Sequence, residues 1–241
     1  MQNFELISFA TADELASRVA GAWLDEIEAA NRACKTHCVA LSGGRITQKF
    51  FTATVEQAKV RKISFERAHF FWADERCVPP TDPESNFKLA NELLFAPLKI
   101  PANQIHRIRG EEPPAAAVKI TEAELRRIVP ADKSGQPALD LIFLGMGEDG
   151  HVASLFPDAS PEIVNCAVPF LFIENSPKPP PKRITLSYAA ITAARQVWVL
   201  VSGAGKEAAL RESLRPGGET PLARVMLIRS KTIVFSDIRL D

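Results

Sequence analysis

Ala138-Leu139-Asp140-Leu141-Ile142-Phe143-Leu144-Gly145-Met146-Gly147-Glu148-Asp149-Gly150-His151 is the stretch whose reading decides the fold. Its first half is a short apolar run, the pattern of a strand buried on both faces. Its second half holds three glycines within six residues, at 145, 147 and 150. Glycine there lets the backbone turn sharply and lets a ligand approach with no side chain in the way. In an open α/β sheet, ligands sit at the carboxyl ends of strands. His151 falls at that point, with Asp149 two residues before it. A solvated histidine in a turn is the plain alternative, but histidine alone has an ordinary pKa near neutrality, which favours proton transfer.

Outward from this stretch, strands and helices alternate. Residues 4–9 suit a first strand. Thr11 and Glu14 form a capping box that opens a long amphipathic helix reaching about residue 33. Residues 37–41 read as a second buried strand. It ends in Ser42-Gly43-Gly44-Arg45, and a helix follows from residue 46 onward. A strand, a glycine turn and a helix start leave backbone N–H groups pointing outward at the positive end of a helix, which suits a phosphate. Neither GxxxxGK nor GxGxxG is present, so this is not a nucleotide fingerprint. Arg45 meets an unfavourable helix dipole unless an anion lies nearby.

The region 65–73 gives another apolar strand, ending in Asp74-Glu75-Arg76. Arg76 suits a bidentate grip on phosphate, with the two acids orienting it. Ser85-Asn86-Phe87 then opens a helix through residue 94, with a serine at its cap. A short strand at 105–108 and a helix at 115–129 follow, the latter with a second capping box at Thr121 and Glu124. His106 reads as structural. After a strand around 167–173 comes Ser176-Pro177-Lys178-Pro179-Pro180-Pro181-Lys182-Arg183. Its four prolines fix φ and stiffen a loop that carries three cations. Lys178 and Arg183 suit an anion site, and Lys182 suits solvent. Residues 196–201 read as a central strand ending in Ser202-Gly203-Ala204-Gly205-Lys206, which repeats the turn logic of residues 42–45. A helix opened by Thr220-Pro221 and a strand at 232–235 complete the chain.

Composition excludes several classes. Twenty-nine basic and 29 acidic side chains cancel, so no bulk field favours nucleic acid or an anionic membrane. A small anionic substrate therefore needs a local cluster of positive charge. Cys34, Cys38, Cys77 and Cys166 form no CxxC pair, and Cys34, His37 and Cys38 are not followed by a second ligand cluster. Reduced thiols, each buried or half-exposed, and no bound metal are expected. No signal peptide and no membrane-spanning run is legible, which fits the cytoplasm. The alternation of elements predicts one α/β domain over residues 1–241, an open and mainly parallel sheet flanked by helices in the Rossmann manner.

GMGEDGHVASLFP closely resembles the signature of the 6-phosphogluconolactonases. WADERCVP, the downstream SNF, SPKPPPKRIT and the GxxK at 203–206 resemble further elements of that family. The resemblance spans nearly the whole chain, and Arg45-Ile46-Thr47 departs from it where the family has Ser-Thr-Pro. It implies a sheet like that of the sugar-phosphate isomerase and CoA-transferase superfamily, a phosphorylated sugar lactone as substrate, and no metal or organic cofactor. A monomer is the expected state.

With no GxSxG elbow and no HExxH pair, a hydrolase of this kind needs water activated by a general base. His151 is the expected base and Asp149 its orienting acid. Ser42, Gly43, Gly44, Arg45, Asp74, Arg76, Asn86, Lys178, Arg183 and Lys206 are the expected substrate contacts. Two rivals remain. A glucosamine-6-phosphate deaminase shares the phosphate logic but continues its His motif with a carboxylate, where this chain has Ser154-Leu155-Phe156-Pro157; Asp74 would then be its base. A non-catalytic sugar-phosphate sensor would usually carry a DNA-binding module, for which the chain has no room.

Overall fold

The computed structural model describes residues 3–240. Among the described residues nine strands are formed: β1 Phe4–Ser8, β2 His37–Leu41, β3 Ala68–Trp72, β4 Asp74–Arg76, β5 Leu141–Gly145, β6 Phe170–Ile173, β7 Arg183–Leu186, β8 Gln196–Val201 and β9 Thr232–Ser236. The helices are α1 Ala12–Arg32, α2 Arg45–Arg61, α3 Asn86–Ala90, α4 Ala96–Leu98, α5 Pro114–Ile128, α6 Pro161–Val164, α7 Tyr188–Ala193, α8 Glu207–Leu214 and α9 Pro221–Ile228. Six strands make one parallel sheet in the order β1-β9-β8-β5-β2-β3. The expected open α/β sheet is therefore present.

The apolar runs become the central strands because both of their faces are covered. Every residue of β2 is buried, as are the last five of β8 and the first four of β5. Trp23 of α1 anchors one aromatic cluster, packing on Phe50 at 5.5 Å and on Phe143 of β5 at 5.2 Å. Its indole N–H donates to the buried His37 Nε2 at 3.2 Å, so the one polar atom of that side chain is satisfied. Helix α1 opens at the expected N-cap, with Thr11 Oγ1 accepting from Glu14 N, but Glu14 Oε2 accepts from Ala10 N, one residue before the N-cap N–H that a capping box would use.

Strand order determines where function is placed. β8, β5, β2 and β3 are consecutive neighbours, so their carboxyl ends lie side by side. From β2 the chain moves outward to β3, whereas β5 lies on the other side of β2. The β2/β5 boundary is thus a topological switch point, where a crevice opens in such sheets.

Five further local readings are corrected. Asp74-Glu75-Arg76 is not the tail of β3 but a strand of its own, pairing antiparallel with β7, which pairs antiparallel with β6. This second, three-stranded sheet was not foreseen, because three residues of mixed charge carry no strand pattern. Residues 105–108 form only an isolated bridge, Phe70 to Ile105. Thr121 lies inside α5, which is capped at Pro113, so Thr121 and Glu124 are not a capping box. The helix from Asn86 changes to a π turn at Asn91–Phe95 instead of running on as α-helix. Among the thiols, Cys34 is exposed instead of half-exposed, Cys38 is buried, and Cys77 and Cys166 are intermediate. No helix among the described residues is long and apolar enough to cross a membrane.

Candidate active site

Each of the four neighbouring strand ends contributes a segment. From β2 comes Ser42-Gly43-Gly44-Arg45, from β3 the turn into Asp74 and Arg76, from β5 Gly145 to His151, and from β8 the turn to Lys206. These segments line one cleft of about 130 Å³, together with Asn86 and Arg183. Arg45, Arg76, Arg183 and Lys206 face it, with Asp74 the single carboxylate. A chain of zero formal net charge therefore concentrates positive charge at one place.

The β5 turn is built around its histidine. His151 Nδ1 lies 2.5 Å from Asp149 Oδ1, and the same oxygen accepts from His151 N at 3.2 Å. A Cβ on Gly147 would stand 2.1 Å from the imidazole ring, so only glycine admits the ring there. Gly150, at φ +79°, has Thr220 at 2.7 Å from its would-be Cβ, and Leu222 N donates to Gly150 O. Phe156 covers the ring at 4.7 Å. Burial lowers the His151 pKa below the ordinary 6.5, with Asp149 pulling in the opposite direction and Lys178 adding to the lowering. The imidazole is thus neutral at pH 7. With the Nδ1 proton donated to Asp149, Nε2 keeps its lone pair.

The β2 turn meets α2 at Gly44, whose φ of +114° explains the glycine. Gly44 supplies no side-chain cap, so the first N–H groups of α2 are left to a ligand or to water. A Cβ on Gly43 would lie 1.9 Å from Asn86 Oδ1, so Asn86 and the glycine turn occupy one fitted space. Ser42 Oγ points back into the sheet, donating to Phe143 O at 2.8 Å. Its role is to tie β2 to β5.

Asn86 is held from two sides. Its Nδ2 donates to Asp74 O at 2.9 Å and to Asp74 Oδ1 at 3.3 Å. Its N–H donates to Glu75 Oε1, which also accepts from Arg76 N; Glu75 Oε2 accepts from Phe87 N and Ser85 Oγ. Burial pushes Glu75 up to about 7 against the pull of these donors. Asp74 accepts from the fully buried Ser154 Oγ at 2.7 Å. Arg76 is partly committed, since Nη1 donates to Glu84 O at 2.5 Å, yet its buried Nε has no partner among the described residues.

Arg183, expected at an anion site, lines the cleft with most of its donors already engaged. Its Nε donates to Pro180 O, and Nη2 donates to Lys178 O and Pro179 O. Most of the guanidinium thus holds the proline loop in shape, leaving Nη1 3.9 Å from Asp74 Oδ2. Lys178 does not line the cleft, although its charge reaches His151, Asp149 and Lys206. Lys206 stands at the N-cap of α8, its pKa lowered by burial first and then by Arg45. Two cations are thus pressed together at one end of the cleft, an arrangement that an anion relieves. Asp149 stands behind His151 and outside the lining. Ser154 and Phe156 complete the site without having been given a role, and Glu75, expected to help orient a phosphate, accepts from the backbone of Arg76, Asn86 and Phe87 instead. Their hydrogen bonds and ring contacts join segments 10 to 80 residues apart or turn on a local fold, so no local spacing announces them.

Residues 10–234 match the family described as glucosamine-6-phosphate isomerases/6-phosphogluconolactonase. A 6-phosphogluconolactonase of Mycobacterium tuberculosis is 38% identical over 172 residues, 69% of this chain and 68% of that protein. The crystal structure of 6-phosphogluconolactonase from Thermotoga maritima superposes with a TM-score of 0.79 at 30% identity, covering 97% of this chain and 98% of that one. A monomeric glucosamine-6-phosphate deaminase has the same fold, with a TM-score of 0.80 at 17% identity over 96% of this chain and 97% of that one.

Proposed function

Since the chain belongs to the glucosamine-6-phosphate isomerase/6-phosphogluconolactonase family, we propose that it hydrolyses 6-phospho-D-glucono-1,5-lactone to 6-phospho-D-gluconate with His151 as general base. The observation that carries this reading is the His151–Asp149 pair at the wall of a cleft with four cations. His151 Nε2 takes a proton from water as the water oxygen bonds to the lactone carbonyl carbon. The carbonyl oxygen becomes an oxyanion, stabilised by backbone N–H groups of the glycine turns. Collapse breaks the ring C–O bond, and His151 returns its proton to the leaving alkoxide. The 6-phosphate lies toward the start of α2, Arg45, Arg76 and Lys206, where helix dipole and charge favour a dianion. Arg183 and Asn86 position rather than carry the charge, with Asp74 between them.

Freshly made 6-phosphogluconolactone, coupled to 6-phosphogluconate dehydrogenase and corrected for spontaneous opening, tests the reaction. Glucosamine 6-phosphate runs beside it with ammonia as the readout. Lactone turnover without ammonia is expected. Ammonia release would instead make the chain a deaminase, with Asp74 as the base to examine.

The pH profile tests the base. A folded pKa below 6.5 keeps His151 unprotonated to lower pH, so the acid limb of kcat/KM is expected to have its midpoint below 6.5. Asp149 raises the His151 pKa. Asp149→Asn is therefore expected to move the limb further to acid while lowering kcat. A limb that stays in place in Asp149→Asn would detach the pair from the titration.

A further inference from the structure

A cavity of about 760 Å³ lies away from the cleft and serves no step of the proposed reaction. It is bounded by Phe87 of α3, by Ile100, Ile105 and Arg109 from the segment before α5, and by Ile120 and Thr121 of α5. We propose that it is a second binding site, for a phosphate monoester carried on a flat ring system.

Its walls divide the ligand chemistry in two. Phe87, Ile100, Ile105 and Ile120 make an apolar face, and Ile120 is left 40% exposed there. The guanidinium of Arg107 lies 5.7 Å over the Phe87 ring, a flat layered surface suited to a ring. Arg107, Arg109 and Arg127 supply the cationic side. Arg107 is fixed by Glu111, and Arg127 by Glu124. The Arg109 backbone carbonyl accepts from Glu112 N, but its guanidinium makes no hydrogen bond or ion pair among the described residues and is open to an anion, with Glu111 the carboxylate that feels its charge. The Thr121 hydroxyl, on a residue only 4% exposed, also has no hydrogen-bond partner among the described residues. His106 is not a free donor, since one ring nitrogen meets His69 at 2.9 Å and the other Glu124 at 2.8 Å. A volume within the usual 300–1,000 Å³ of small-molecule sites leaves room for a ring as well as a phosphate. One free guanidinium, two held ones and an unpartnered hydroxyl favour phosphate over a neutral ligand. Helix α3 sends Asn86 to the cleft and Phe87 here, so the two sites share one wall.

Calorimetric titration of the full chain with adenosine 5′-monophosphate tests this, with adenosine and orthophosphate as partial probes. One-to-one binding of the monophosphate is expected, at least tenfold tighter than either part. Arg109→Ala is expected to weaken it about tenfold and Ile120→Glu to abolish it. Both side chains are exposed, so both variants fold and keep lactone turnover. Binding is expected to survive Lys206→Ala and saturating 6-phosphogluconate. No binding at millimolar concentration, or equal binding of adenosine, overturns the proposal. Loss of binding in Lys206→Ala or under 6-phosphogluconate also overturns it, because the monophosphate would then occupy the cleft. Binding of the monophosphate, adenosine and orthophosphate to the parent chain, Arg109→Ala and Ile120→Glu does not depend on which reaction the cleft performs.

Discussion

His151→Ala is expected to remove about 10²- to 10⁴-fold of kcat while 6-phosphogluconate binds within about threefold of the parent affinity, the range that a lost general base leaves behind. The separation follows from where the ring's partners lie. Its Nδ1 is taken by Asp149, and its faces meet Phe156 and the bare Gly147, none of which is a phosphate contact. The cations at the far end of the cleft come from other strands: Arg45 follows β2, Arg76 belongs to β4, and Lys206 follows β8. Truncating the imidazole leaves those segments anchored by their own hydrogen bonds. Turnover of fresh lactone and calorimetry with the product give the two numbers. A parallel loss of both would make the ring a packing element of the β5 turn. Unchanged turnover would put the base elsewhere, with Asp74 the nearest carboxylate that lines the cleft.

What the sequence made legible and what it hid follow one physical division. Strands β2, β5 and β8 are buried on both faces, so their apolar runs stand out, and their glycine turns mark the carboxyl ends. With the Asp74-Glu75-Arg76 corner after β3 these make four informative strand ends, and the parallel order β8-β5-β2-β3 makes them adjacent. The second sheet stayed hidden because its pairing is long-range. Asp74, Glu75 and Arg76 become a strand only where Thr185, Ile184 and Arg183 lie opposite. For the same reason the sequence marked Arg183 for an anion site without showing that three proline-loop carbonyl contacts absorb most of its donors. Charge type is local information, whereas the partner of a charge is tertiary. Gly43 and Gly147 show the reverse case. Glycine in these turns suggested close approach, and the space each Cβ would fill is already taken by Asn86 and His151.

Lys206→Ala is expected to raise KM for the phosphorylated lactone about 10- to 100-fold with kcat nearly unchanged, the loss expected when a charge-assisted hydrogen bond to bound substrate disappears. Lys206 sits at the N-cap of α8, where the helix dipole opposes it, and Arg45 presses on it from α2. Burial lowers its pKa further, against the pull of Glu148 and Asp237. Both unfavourable terms reverse when a dianion lies between the two cations, so substrate binding is where this residue has its effect. In the proposed reaction the carbonyl reacts beside His151, at the other end of the substrate from Lys206, so Lys206 is expected to add nothing extra in the transition state. Uniform binding of that kind appears in KM and leaves kcat alone. Lys206→Arg keeps the charge and is expected to recover much of the affinity, which separates charge from shape. Steady-state kinetics of the three forms decide the matter. An unchanged KM in Lys206→Ala would move the phosphate away from α8, and a fall in kcat alone would move Lys206 toward the oxyanion.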